Sequence, residues 1–120
     1  MARTLFALTF GLALAGCGGN TLTQPQDLPT KVYPADTAFR LTLVMKTCSD
    51  SCATYEAGEC SVEVEGNTLT VDASISYERT GENCTERCGT PVLVHCEVGK
   101  LAAGEYTVEA DGFTRQITVR

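Results

Sequence analysis

The sequence predicts a small all-β domain, an antiparallel β-sandwich of six or seven strands stabilised by disulfides. Three observations lead there. The apolar segments beyond residue 37 repeat with a period of two, and no segment of helical length repeats near 3.6. Two dipeptides, Gly66-Asn67 and Asp111-Gly112, suit the tight primed turns of hairpins. Six of the seven cysteines fall within the strand-bearing region, an even set that reads as disulfides in an oxidising compartment.

The chain begins with a different kind of segment. Residues 1–4 carry one positive charge, Leu5 to Leu14 is nearly all apolar, and Leu14-Ala15-Gly16 places small residues before Cys17. That order describes a secretory signal, and the apolar run is too short for the ~18 residues of a membrane span. Leu14-Ala15-Gly16-Cys17 resembles the lipobox of bacterial lipoproteins. The resemblance implies removal of residues 1–16 as a signal peptide and a covalent lipid on Cys17, with no other cofactor. Two or more acyl chains make a stable anchor where one binds marginally, so a membrane is the first expected partner. In a Gram-negative host, Gly18, where inner-membrane lipoproteins carry Asp, implies the outer membrane; otherwise the expectation is a lipid-anchored place in the bacterial envelope. Residues 17–28 (CGGNTLTQPQDL) are polar and aperiodic after the cysteine and read as a flexible tether. The sandwich is expected over 29–120.

Within it, strands are expected near 38–47, 60–65, 68–78, 91–98, 104–110 and 113–119, with a weaker seventh near 30–33 beside Pro29 and Pro34. Phe39, Leu41, Leu43 and Met45 alternate with Arg40, Thr42, Val44 and Lys46; Leu69, Val71, Ala73 and Ile75 alternate with Thr70, Asp72, Ser74 and Ser76. Turning at Gly66-Asn67 pairs Val64 with Leu69 and Val62 with Val71. Turning at Asp111-Gly112 pairs Val108 with Arg115 and Tyr106 with Ile117. Both registers keep apolar residues on one face, and a slip by one residue would expose them. Arg115 is the exception and must lie at an edge or lay its stem across the core.

Leu101-Ala102-Ala103-Gly104-Glu105-Tyr106-Thr107-Val108 resembles the tyrosine corner that opens the penultimate strand of immunoglobulin-like and fibronectin-type domains. The resemblance covers the last twenty or so residues and implies an immunoglobulin-like architecture, with Leu101, Gly104 and Tyr106 in structural roles. The chain has no tryptophan and lacks the Cys-Trp-Cys spacing of antibody domains, so the likeness is one of architecture. A prealbumin-like sandwich and a small barrel are the alternatives.

The cysteines repeat: Cys48-x3-Cys52-x7-Cys60 and Cys84-x3-Cys88-x7-Cys96 are offset by 36 residues. Little else repeats, so the reading is similar loop geometry rather than a duplicated domain. Six cysteines allow 15 connectivities. The competing reading is a metal or thiol-redox centre, although six thiols and His95 exceed the four ligands of a structural zinc site. Two loops of about a dozen residues, 48–59 and 79–90, are expected at one end of the sandwich near the Asp111-Gly112 turn. Bridges among them are worth ~2–4 kcal/mol each in the chain-entropy account.

Chemistry finds little support. His95 is the only histidine, and no nucleophile elbow or phosphate-cradling glycine motif accompanies it. Asp50, Glu56, Glu59, Glu82 and Glu86 do not follow the spacing of a calcium loop and read as a solvated acidic rim. Asn83-Cys84-Thr85 matches a glycosylation sequon only by pattern. Without residues 1–16 the chain keeps eight basic residues against fifteen acidic ones, a net charge of −7, which excludes nucleic acid and anionic headgroups as electrostatic partners. The expectation is a non-enzymatic binding or structural module whose loops, with Asp50, Tyr55, Glu56, Glu59, Glu82 and Glu86, contact a protein or glycan. The alternatives are a protease inhibitor presenting Tyr55–Glu59 and a metal-binding or thiol-redox protein.

Overall fold

β7 (Thr68–Arg79) is the strand around which the domain is organised in the computed structural model, which describes residues 20–120. The expected signal peptide, Cys17 and the first residues of the expected tether lie outside the described residues. The rest is all-β, with ten further strands: β1 (Asn20–Leu22), β2 (Val32–Tyr33), β3 (Phe39–Lys46), β4 (Ser49–Asp50), β5 (Ala53–Tyr55), β6 (Glu59–Glu65), β8 (Glu86–Arg87), β9 (Val92–Val98), β10 (Gly104–Ala110) and β11 (Phe113–Val119).

Along one edge of β7 run β6 and then β5, both antiparallel. Along the other lie β10, parallel, and β1, antiparallel. The sheet continues through β11 to β2, which is parallel to β11. The main sheet is therefore mixed, not purely antiparallel as expected. β7 and β10 are not joined by a hairpin, because the chain between them leaves for β9 in a second sheet with β3 and returns in the same direction. The Cys60–Cys96 bond ties β6 to β9, and the sheets curl together rather than forming two plain layers.

Both hairpins have the registers the turns require. Val62 faces Val71 and Val64 faces Leu69; Val108 faces Arg115 and Tyr106 faces Ile117. Gly66 has φ +59°, as the first central position of a II′ turn demands, and Asp111 and Gly112 both have positive φ, as in I′. Arg115 resolves its conflict by laying its guanidinium 4.5 Å from the centre of the Phe113 ring. The core is the set of alternate positions: Leu41, Leu43, Leu69, Val71, Val94, Cys96, Val108 and Ile117 are all buried. The Tyr106 hydroxyl donates to the Ala102 carbonyl at 2.8 Å, and Leu101 is buried beside the same corner.

Two expectations are corrected. Residues 20–28 do not form a free tether. β1 pairs with Ile75–Tyr77, and Leu28 is 0 % exposed. The apolar side chains Leu22 and Leu28, with the buried Pro25, give this polar stretch something to bury. Val44, assigned to the outer face of β3, is buried. Gln26 and Asp27 donate their N–H groups to its carbonyl and Val44 donates back to Asp27, which roofs the strand where its pairing with β9 is irregular between Val44 and Lys46.

Candidate functional site

The segments expected as two loops instead form one ribbon. β4 and β8 pair with Ser49 opposite Arg87 and Asp50 opposite Glu86, and the Ser51 N–H extends the pairing to the Thr85 carbonyl at 2.8 Å. Continuing this register in both directions puts Cys48 opposite Cys88 and Cys52 opposite Cys84. Those are the bonds that form. Residues four apart on a strand share a face, so two C-x3-C segments running antiparallel bring all four cysteines to one face as two rungs. The third bond, Cys60–Cys96, joins strands of the body. All six sulfurs are thus engaged, and the repeat of the sequence pairs equivalent positions only at its third member.

Between the rungs, on the same face, stand Asp50 and Glu86. Asp50 accepts from the Arg79 guanidinium and from the Cys52 N–H at 2.8 Å. The Arg79 bond, then the Cys52 N–H, holds its carboxyl below the ordinary carboxylate range, and Asp50 in turn raises Arg79. The ribbon is fastened to the body by this ion pair, by the Asp50 N–H donating to the Tyr55 hydroxyl at 3.2 Å, and by Thr80 N–H to the Cys52 carbonyl at 2.9 Å. Tyr55 in turn packs on Tyr77, with ring centres 5.2 Å apart.

Under the ribbon lies a groove of about 320 Å³. Its apolar floor and walls include Ile75, Val92, Pro91 and Leu93; Tyr55, Ser49, Asp50, Arg87 and Thr90 supply polar groups. Leu93 is 39 % exposed, and Arg87 makes no ion pair among the described residues. Clefts of this size with an apolar lining and a few polar groups are the usual form of a ligand site.

The carboxylates read as one rim are divided. Asp50 and Glu86 meet on the ribbon. Glu56 and Glu59 run along β7, Glu56 donating its N–H to the Ser76 carbonyl and Glu59 opposite Ser74. Glu82 is exposed in the segment between β7 and β8. Tyr55–Glu59 does not project: it is paired at both ends, and a Cβ at Gly58 would stand 2.5 Å from a Val94 methyl. The Asp111-Gly112 turn is held by the Thr23 hydroxyl on the Asp111 carboxylate and by the Gln24 amide on its carbonyl. His95 sits on the exposed face of β9, its Nδ1 2.9 Å from the Thr42 hydroxyl. Arg87, Pro91, Leu93 and Arg79 were not singled out from sequence. Placing the two C-x3-C segments antiparallel could have found both rungs and, with them, Arg87; Pro91, Leu93 and Arg79 carry no such signal.

Comparison with protein-family profiles, curated proteins and solved structures returns no match.

Proposed function

We propose that this chain is a lipid-anchored protein of a bacterial envelope whose domain, a variant immunoglobulin-like sandwich, is a non-enzymatic binding module holding a protein or glycan in the groove under the ribbon. The observation that carries the reading is the clamping of two segments, about thirty residues apart in sequence, into one short ribbon over that groove. Disulfides in this number fit a chain that works in an oxidising compartment, as the Leu14–Cys17 pattern requires. The Tyr106-to-Ala102 hydrogen bond is the contact that a tyrosine corner makes, which supports the immunoglobulin-like reading despite the parallel pairings.

A rigid groove with Tyr55, Pro91 and Leu93 beside Asp50 and Arg87 offers apolar contact flanked by charges of both signs. Such a surface suits a sugar ring or a short peptide segment, each of which needs a flat apolar contact and a few placed hydrogen bonds. A projecting inhibitory loop finds no support at Tyr55–Glu59, which runs along β7. Thiolate metal ligation needs sulfurs that are here joined to one another.

The test places a photocrosslinking residue at Leu93 in the native host, with the same residue at Thr107 on the far side of the main sheet as control. An adduct of defined mass at Leu93, weakened by Arg87→Ala and absent at Thr107, is the expected result. Equal adducts at both positions overturn the groove. The anchor is tested separately: labelled palmitate should enter the parent chain and not Cys17→Ser.

A further inference from the structure

We propose that the Cys48–Cys88 bond is a thiol–disulfide exchange site whose reaction partner is a dithiol. The three bonds differ in access. In the third bond Cys96 is 0 % exposed, and its partner Cys60 is half-buried on a polar depression with Glu59 and Asp72 and no cationic side chain, which repels a thiolate. Cys52 and Cys84 are both half-buried, and Gly81, at φ +99°, folds so closely over them that a Cβ there would lie 3.2 Å from the Cys52 sulfur. Cys88 is exposed, on a turn closed only by the Thr90 N–H to the Arg87 carbonyl, and Cys48 is half-buried. An attacking thiolate must reach the sulfur, and exposed disulfides are the exchangeable ones.

A way in exists on the Cys48 side. A depression of about 190 Å³ opens there, lined by Gln26, Lys46, Thr47, Cys48 and Glu86. Gln26 fixes its wall by accepting both the N–H and the hydroxyl of Thr47. The Lys46 ammonium supplies the positive charge that draws a thiolate in an otherwise acidic molecule. Glu86 opposes that attraction, but its carboxylate lies within 4.8 Å of both sulfurs and can accept the S–H of a released thiol.

The exchange runs in two displacements. One thiolate of the dithiol attacks the Cys48 sulfur and forms a new S–S bond; the Cys48–Cys88 bond breaks, and its electron pair leaves on Cys88, which takes a proton from water. The second thiol of the dithiol, deprotonated, then attacks its own partner sulfur. Cys48 departs as a thiolate and is protonated. The dithiol loses two electrons and closes to a disulfide, and the chain gains two electrons and two protons. Cys52–Cys84 holds the ribbon in register throughout, so an oxidised dithiol can close the site again.

The test incubates the full chain with graded dithiothreitol, blocks free thiols with N-ethylmaleimide and maps the labelled peptides. Cys48 and Cys88 should be labelled together at about tenfold lower reductant than the other four, with the far-UV spectrum unchanged. Glutathione in place of dithiothreitol should leave its adduct on Cys48, and Lys46→Gln should slow opening several-fold without changing the order. Earlier or simultaneous opening of either other bond, or unfolding at the first labelling step, overturns the proposal. An adduct confined to Cys88 overturns the direction of attack.

Discussion

Removing the Cys60–Cys96 bond should cost more stability than removing Cys48–Cys88, because of how the bonds nest. With Cys52–Cys84 intact, eight residues lead from Cys52 to Cys60 and twelve from Cys84 to Cys96. The loop closed by Cys60–Cys96 is then about 20 residues rather than the 36 of its sequence separation. For that length the chain-entropy relation gives ~3.3 kcal/mol. Beyond Cys52–Cys84, the Cys48–Cys88 bond closes only four residues in each strand, and the same relation gives ~2.5 kcal/mol. Cys96 is also wholly buried, so truncating it leaves a small void worth a further ~1 kcal/mol. Urea unfolding of Cys60→Ala/Cys96→Ala and Cys48→Ala/Cys88→Ala should therefore separate the two by roughly 1–2 kcal/mol, at similar slope against denaturant. A Cys48→Ala/Cys88→Ala variant as destabilised as the other refutes the nesting argument.

Leu28→Ala should lose about 2–5 kcal/mol in the same assay, the range for truncating a fully buried leucine; a loss near zero would return residues 20–28 to the status of a tether. Tyr106→Phe removes the hydroxyl bonded to Ala102 and should cost about 1 kcal/mol without altering adduct formation at Leu93. Asp50 gives a pH signature. Its folded pKa is lowered, by the Arg79 bond first, so its contribution is complete above the unfolded value of about 3.9 and is lost as pH falls through the folded value. Melting temperature against pH should be insensitive to Asp50 from pH 7 to 5 and fall below about 4, and Asp50→Asn should remove part of that acid limb.

Most of the body was legible because alternation and turn chemistry act locally. Val62, Val64, Leu69 and Val71 declare their face within a few residues, and Gly66 and Asp111-Gly112 declare the turn that pairs them. The parallel pairing of β7 with β10 was not legible, since nothing near Thr68 or Thr107 records that the chain visits β9 in between. The burial of Val44 was hidden for the same reason: it depends on Gln26 and Asp27, two polar residues in a stretch whose composition reads as linker. The signal peptide and Cys17 rest on the sequence pattern alone.

The ribbon was the hardest element to read, and the cause bears on what it is for. β4 is Ser-Asp and β8 is Glu-Arg, so neither strand brings apolar surface to bury. A two-stranded ribbon this short is marginal in water by itself. The two rungs and the Asp50–Arg79 ion pair supply the constraint that a core supplies elsewhere; Ser49 is buried, while Glu86 and Arg87 stay exposed. Hydrophobic patterning cannot reveal an element held in this way; only the cysteine spacing can. On the proposed reading, an element held in place by cross-links more than by apolar packing is suited to present polar groups to a ligand.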